Sequence, residues 1–88
     1  MVKVKRFTAI WCGPCRQLAP IFEQLQIRLS ELATFNTIDV DTSPEEVQKY
    51  NVTSVPTVII EKDGEVIERF TGLSSKIAYV NAINESLK

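Results

Sequence analysis

Histidine is absent from this chain of 88 residues, and cysteine occurs only twice. Without an imidazole, the chain cannot perform Ser-His-Asp or Cys-His nucleophilic catalysis, and it cannot bind zinc through histidine. It also lacks an apolar run long enough to span a membrane, and its first residues lack the hydrophobic middle of a secretory signal. We therefore expect a cytoplasmic protein with no membrane partner.

The chain also has no large excess of positive or negative charge. The chain has 10 Lys and Arg residues against 11 Asp and Glu residues, so its net charge of −1 does not attract nucleic acid. One short basic patch (Lys3, Lys5, Arg6 and Arg16) favours nucleic acid, but no aromatic residues are interleaved with it. We expect no nucleic-acid partner.

The hydrophobic pattern predicts seven elements in the order strand, helix, strand, helix, strand, strand, helix (βαβαββα). A hydrophobic content of 44% and this length suit one core, so residues 1–88 are expected to form a single domain. Strands are expected at 2–9, 35–40, 57–60 and 65–70, the last two joined by a hairpin turn at Asp63-Gly64. This order predicts an α/β fold with a four-stranded mixed sheet flanked by three helices.

Local signals predict the faces and ends of the helices. The first helix is expected to follow Cys12, to reach Leu32 and to kink at Pro20. Ser43 should begin the second helix, with Glu46 closing a capping box, and Asn51 should end it in left-handed geometry. Ser74 or Ser75 should cap the last helix. Its predicted buried residues are Ile77, Val80, Ile83 and Leu87.

The two cysteines lie in the segment Cys12-Gly13-Pro14-Cys15, where a strand gives way to a helix. The first turn of a helix has free N–H groups and a partial positive charge, and both stabilise a thiolate, the nucleophile of disulfide exchange. Cys12 precedes this turn and should be exposed, whereas Cys15 shares the buried face of Leu18 and Phe22. We therefore predict that Cys12 attacks a substrate disulfide and that Cys15 resolves the mixed disulfide.

Two other interpretations of this pair are an inert structural pair and half of a zinc site. Zinc would need ligands from a second chain or from carboxylates, because the chain has no third cysteine. We expect no metal and no cofactor.

Five features in fixed order resemble the thioredoxin family. They are Trp11-Cys12-Gly13-Pro14-Cys15, Pro20, Val55-Pro56-Thr57, the Asp63-Gly64 turn and Gly72. The resemblance covers essentially the whole chain but starts at the family's central strand. The sequence therefore looks like a shortened thioredoxin, which lacks the opening strand and helix.

The resemblance implies the thioredoxin fold and the reduction of protein disulfides by dithiol-disulfide exchange. It implies a cis peptide bond before Pro56 and an apolar surface that docks substrates. That surface is expected to comprise Trp11, Gly13, Pro14, Val55, Pro56, Gly72 and Leu73. Implied partners are disulfide-containing client proteins and an electron donor, either a thioredoxin reductase or a glutathione- or glutaredoxin-type donor. The protein is expected to be a monomer.

Two positions depart from the family. Arg6 stands where the family has a buried aspartate that accepts the proton of the resolving thiol, and Thr37 stands where a lysine accompanies it. An arginine cannot be a general base. We expect Arg6 to lay its stem along the sheet with its head near water, and the proton of Cys15 to pass to water or to the leaving thiolate.

Two other functions are open at this point. A glutaredoxin-like redoxin would use glutathione, although Gly-Pro between the cysteines is more typical of thioredoxins. A binding module would hold a partner on the same apolar surface without redox turnover.

Overall fold

The computed structural model describes residues 1–88 and contains the predicted seven elements. Their bounds are β1 (Val2–Thr8), α1 (Gly13–Leu29), β2 (Thr34–Asp39), α2 (Pro44–Lys49), β3 (Thr57–Lys62), β4 (Glu65–Thr71) and α3 (Lys76–Ser86). The strands form one sheet in the order β2-β1-β3-β4, in which β1 pairs with β2 in parallel and the other pairs are antiparallel. The predicted α/β fold, a mixed four-stranded sheet with three helices, is confirmed.

One face of the sheet carries the main hydrophobic core. Alternate residues of β1 point to this face, and Val4 lies between Phe35 of β2 and Ile60 of β3. The core packs these strands against α1 and α3. Its buried members are Val2, Val4, Leu18, Phe22, Leu25, Ala33, Val58, Ile60, Tyr79 and Ile83. Because α1 is packed along its length, the position of its first turn relative to the sheet is set.

The opposite face has a smaller core beneath α2. Phe7, Tyr50 and Ile59 are its buried residues, and the rings of Phe7 and Tyr50 lie 5.9 Å apart. This cluster covers the end of the sheet near the cysteines. Further along the face, Lys5 pairs with Glu46, with 3.2 Å between Nζ and Oε2.

Turns with left-handed backbone occur where the sequence predicted them. Asp63 and Gly64 have φ values of 53° and 85°, the two positive angles that a tight hairpin between β3 and β4 requires. Asn51 follows α2 with φ 53°, a conformation that asparagine tolerates better than most residues. Ser75 caps α3, since its side chain accepts a hydrogen bond from the N–H of Ala78 at 3.2 Å.

Two predictions about helix faces are wrong. The first helix ends at Leu29 rather than Leu32, and Leu32 is 54% exposed. In α3 the buried residues are Tyr79, Ile83 and Ser86, and Ile77 is 68% exposed. Ile77 lies two residues before Tyr79, which places it about 200° around a helix from the packed face. Val80 and Leu87 are half-buried.

The predicted capping box of α2 is also wrong. Ser43 is the N-cap residue, but its side chain makes no capping hydrogen bond. The carboxylate of Glu46, which would have closed the box, accepts a hydrogen bond from Lys5 of β1 instead. A contact with a distant strand has replaced a local one.

In α1, Pro20 lies inside a helix that continues for nine more residues to Leu29.

Candidate active site

The cysteine pair lies at the N-terminus of α1, as the spacing predicted. Cys12 is the N-cap residue with extended backbone (φ −93°, ψ 114°), and proline occupies the first turn. The backbone N–H of Cys15 donates a hydrogen bond to Sγ of Cys12 at 3.2 Å. This sulfur therefore takes up one of the N–H groups that a helix leaves free at its start, and the same group stabilises a thiolate.

Cys12 and Cys15 form a disulfide, with 5.3 Å between their Cα atoms. The prediction that Cys12 is exposed is wrong for this oxidised state, in which Cys12 is 5% exposed and Cys15 2%. The bond to Cys15 and the hydrogen bond from its N–H turn Sγ of Cys12 towards the helix. Both cysteines pack with Ala9, and Val40 and Val55 lie against them.

An apolar groove of about 290 Å³ lies on the α2 side of the disulfide. Its lining comprises Trp11, Val40, Val47, Val52, Thr53, Ser54 and Val55. The Trp11 side chain is 64% exposed, and its indole N–H donates a hydrogen bond to Oδ2 of Asp41 at 2.9 Å. The groove thus has a wide aromatic wall whose orientation is held by a carboxylate.

The segment before β3 lies beside this groove. The peptide bond between Val55 and Pro56 is cis. Pro56 is buried, and its carbonyl accepts a hydrogen bond from the N–H of Gly72 at 2.8 Å. Gly72 has φ 88°, a conformation suited to glycine, and Leu73 after it is 43% exposed. The backbone N–H and carbonyl of Val55 form no hydrogen bond within the chain.

A second cleft, of about 320 Å³, opens on the α1 side of the disulfide and is charged. Its lining comprises Arg6, Thr8, Ala9, Ile10, Cys15, Arg16, Ala19 and Asp39. Two arginines and one aspartate therefore line a cavity together with the more buried cysteine. The two sides of the disulfide differ in chemistry, one apolar and one charged.

Arg6 is half-buried on the sheet. Its Nη2 donates to Oγ1 of Thr37 at 3.1 Å, and its guanidinium carbon lies 4.9 Å from the centre of the Phe22 ring. Its Nε is buried without a hydrogen-bond partner, whereas the hydrogen bond from Nη2 lies in an exposed position. Burial lowers the pKa of Arg6, and the negative charge of Glu23 opposes this shift. The two departures from the family pattern, Arg6 and Thr37, are thus neighbours.

The four basic residues near the N-terminus do not form one surface. Alternation along β1 places Lys3 and Lys5 on the face opposite to Arg6. Lys5 is paired with Glu46, and Nη2 of Arg16 donates to the carbonyl of Ile10 at 3.0 Å. No group of three or more candidate metal ligands occurs, and none of the helices is long and apolar enough for a membrane span.

Sequence reasoning missed the functional residues at the carboxyl end of β2 and just after it. Asp41 holds Trp11, Val40 lies against the cysteines, and Asp39 lines the charged cleft. A usable signal was present, because β1 and β2 were expected to be parallel and their carboxyl ends therefore meet at one edge of the sheet. Residues after the second strand must then lie beside those after the first.

The fold and the cysteine pair define a class of protein, the thiol-disulfide oxidoreductases. Comparison with known proteins narrows this class. The thioredoxin family model matches residues 2–85. The chain is 41% identical over 81 residues to the thioredoxin of Bacillus subtilis (strain 168), a match covering 92% of this chain and 78% of that protein.

Solved structures agree with these sequence matches. A mutant thioredoxin from Halobacterium salinarum NRC-1 superimposes with a TM-score of 0.91 at 34% identity, covering 99% of this chain and 75% of that one. Fasciola hepatica thioredoxin gives a TM-score of 0.88 at 38% identity, covering 97% and 80%. The chain therefore belongs to the thioredoxin family, and it acts as a protein-disulfide reductase.

Proposed function

We propose that Cys12 is the attacking and Cys15 the resolving sulfur of this reductase. In the reduced protein, the Cys12 thiolate attacks one sulfur of a client disulfide, and the other client sulfur leaves as a thiolate that takes up a proton. Cys15, as a thiolate, then attacks Sγ of Cys12. The bond between Cys12 and the client breaks, the client leaves as its second thiolate, and the Cys12–Cys15 disulfide forms. The observation that carries this assignment is the position of Sγ of Cys12 at the start of α1, where it accepts the N–H of Cys15.

The same proposal assigns the docking of clients to the apolar surface beside the disulfide. Trp11, Gly13, Pro14 and Leu73 are exposed, Val55 and Gly72 are half-buried, and Pro56 contributes through its backbone because its ring is buried. The unpaired N–H and carbonyl of Val55 can pair with an extended segment of a client. Side chains of that segment would then enter the groove bordered by Trp11.

Residues 1–88 act in this proposal as a single monomeric domain in the cytoplasm, where reducing conditions keep a pair such as Cys12 and Cys15 available for catalysis. Its partners are disulfide-containing clients and a thioredoxin reductase that returns electrons to the pair. No cofactor takes part, since all electrons pass between sulfur atoms.

Reduction of insulin by dithiothreitol, catalysed by single-cysteine variants, tests the roles of the two sulfurs. Cys12→Ser should abolish catalysis and form no adduct with a client. Cys15→Ser should also lose turnover but accumulate a mixed disulfide through Cys12, visible by mass spectrometry. An adduct that forms through Cys15 in the Cys12→Ser variant, and not the reverse, contradicts the assignment.

The docking surface is tested with a matched pair of exposed leucines, since Leu73 is 43% and Leu32 54% exposed. We expect Leu73→Ala to lower kcat/KM for insulin several-fold, and Trp11→Ala to lower it by about tenfold, as for a contact residue of an interface. Leu32→Ala should leave it unchanged, and a small-molecule disulfide should be reduced at nearly the same rate by the Leu73 and Leu32 variants. If Leu73→Ala and Leu32→Ala changed kcat/KM for insulin equally, Leu73 would not belong to the docking surface.

The electron donor is identified by coupled assays run in parallel. Oxidised protein is mixed with NADPH and a thioredoxin reductase, or with glutathione, NADPH and glutathione reductase, and NADPH consumption is followed. Activity with the first mixture supports the proposal. Activity only with the second would make the protein a glutaredoxin-like redoxin.

A further inference from the structure

Arg6 and Cys15 line the same cleft beneath the first turn of α1. Arg6 comes from β1 and Cys15 from α1, so the packing of this helix on the sheet brings the two residues to one cleft. Cys15 is 2% exposed. A charge that appears on its sulfur is therefore poorly solvated by water, and it depends on the charged groups of the cleft.

The positive charge of Arg6 has no ion-pair partner. Its hydrogen bond goes to Thr37, a neutral residue, and the three salt bridges of the structure do not include Arg6. Its Nε is buried without a hydrogen-bond partner. A cation in this condition gains from a nearby anion, since an unpaired charge that is partly buried is costly.

The other two charged residues of the cleft, Arg16 and Asp39, make hydrogen bonds within the chain. Arg16 donates a hydrogen bond to the carbonyl of Ile10. Asp39, from β2, accepts the N–H of Asp41 at 2.8 Å and contributes negative charge. Glu23, on α1, acts on Arg6 from outside the cleft. With two arginines and one aspartate, the lining of the cleft carries a net charge of +1.

We propose that Arg6 stabilises the thiolate of Cys15, and so favours both the resolution of mixed disulfides and the reduced form of the cysteine pair. The inference rests on the proposed role of Cys15 as the resolving sulfur. Arg6 takes no proton. It favours release of the Cys15 proton to water by stabilising the anion that remains. That anion then attacks Sγ of Cys12, and the electron pair of the broken bond leaves with the client sulfur.

The reduction potential follows from the same effect. The oxidised pair has no charge on sulfur, whereas the reduced pair carries a negative charge beside Arg6 once Cys15 ionises, so a fixed cation stabilises the reduced form selectively. The protein should therefore be a stronger oxidant with Arg6 than with a neutral residue. This effect is opposite in sign to that of a carboxylate at the same position, whose negative charge disfavours a thiolate.

The direct test uses Cys12→Ser, in which Cys15 is the sole thiol, and follows its ionisation by the ultraviolet absorbance of the thiolate. Adding Arg6→Gln should reduce the thiolate fraction at neutral pH by about tenfold, the effect of one neighbouring opposite charge. Arg6→Lys should retain most of the parent's thiolate fraction. Arg28→Gln, the same change on the exposed outer side of α1, should have no effect, and Asp39→Asn should increase the thiolate fraction.

A second neutral variant guards against a packing effect. Arg6→Met keeps an apolar stem over Phe22 and should match Arg6→Gln, with circular dichroism confirming that each variant is folded. Equal titration of Cys15 with arginine, glutamine and methionine at position 6 would overturn the proposal. The proposal would also be overturned if Arg6→Lys lowered the thiolate fraction of Cys15 as much as Arg6→Gln does, because the positive charge would then not be the cause.

The redox consequence is measured on the intact pair by equilibration with glutathione buffers. With Arg6→Gln, the equilibrium constant for oxidation of the pair by glutathione disulfide should rise about tenfold, which corresponds to a potential about 30 mV more negative. The difference should shrink in acid, where both proteins hold two thiols. If Arg6→Gln leaves this equilibrium constant unchanged while Cys15→Ser still traps its client, the inference about Arg6 is overturned and the roles of the two cysteines stand. Failure of that trap would instead reject the roles of the two cysteines.

Discussion

The two faces of the sheet are stabilised by different interactions. On the face covered by α1 and α3, ten buried residues form one apolar cluster. On the other face only three buried residues form the cluster near α2, and polar pairs continue it along the strands. In these pairs Tyr50 donates to Glu61 at 2.8 Å, Lys5 to Glu46 at 3.2 Å, and Arg69 to the carbonyl of Tyr50 at 2.6 Å.

Tyr50 joins these polar pairs to one another. Its hydroxyl binds Glu61, its ring has Lys5 Nζ 4.6 Å from its centre, and its carbonyl binds Arg69. Glu61 is 6% exposed, so its carboxylate depends on this hydroxyl for a donor. The first face is therefore stabilised mainly by apolar burial, while the second depends on hydrogen-bond partners for polar groups removed from water.

The largest expected effect comes from the apolar face. Ile60 is fully buried in its core, and Ile60→Ala should lower the free energy of unfolding by about 2–5 kcal/mol, through lost burial and the cavity left behind. Urea denaturation of the oxidised protein measures this. Val66→Ala is the control, because Val66 is 41% exposed on β4 and should change little. A loss from Ile60→Ala no larger than that from Val66→Ala would refute the contrast.

An intermediate effect is expected at Tyr50 and Glu61. Tyr50→Phe keeps the ring but leaves the buried carboxylate of Glu61 without its donor, which should cost about 1–3 kcal/mol. Adding Glu61→Leu removes that unsatisfied group, so the double variant should recover most of the lost stability. Urea denaturation of the single and double variants checks this. A double variant no more stable than Tyr50→Phe alone would show that the hydroxyl acts in another way.

The smallest effect is expected at Lys5, whose side chain is 12% exposed against 36% for Glu46. Burial alone lowers the pKa of Lys5, but its contacts with Tyr50 and Glu46 outweigh this, so its pKa is raised. Lys5→Met should therefore cost about 1 kcal/mol at neutral pH.

The pH dependence of this last effect has a definite sign. A raised lysine pKa stabilises the fold fully below the unfolded value of about 10.4, and the contribution is lost as pH rises through the folded value. Urea denaturation of both proteins across this range should show the difference between Lys5 and Met narrowing at high pH. A constant difference would mean that the lysine acts only through its stem.

The contrast between the faces continues to the disulfide. On the α2 side lies the apolar groove with Trp11, and on the α1 side lies the charged cleft with Arg6. In the proposed cycle the groove recognises clients and the cleft sets the charge around Cys15. Recognition and redox tuning are thus assigned to opposite sides of one sulfur pair.

Most of the fold was predictable from short-range patterns. The Asp63-Gly64 turn, the Ser75 cap and the left-handed Asn51 each follow from the chemistry of one or two residues. The buried face of α3 was not predictable in this way. Ile77 and Tyr79 both fit a helical stripe, and only the packing of α3 on the sheet buries Tyr79 and leaves Ile77 exposed. The hydroxyl oxygen of Tyr79 accepts a hydrogen bond from the N–H of Ser74 at 3.0 Å, so this polar atom has a hydrogen-bond partner within the fold.

The candidate site shows the same division. The position of the cysteines at a helix start was predictable from Gly13 and Pro14 between them. The burial of Cys12 was not, because it depends on the bond to Cys15 and on packing by Val40 and Val55. Asp41 was also missed, since its hydrogen bond with Trp11 joins residues thirty positions apart.

The order of the elements, the turns and the reactive pair could be predicted from the sequence, because these arise from interactions between residues a few positions apart. Three contacts could be found only in the folded protein. Arg6 shares a cleft with Cys15, Glu46 pairs with Lys5 rather than with its own helix, and Tyr50 donates a hydrogen bond to Glu61. The physical reason is that charge, burial and hydrogen-bond partners at these positions come from segments distant in the chain. Only the packing of helices on the sheet brings those segments together.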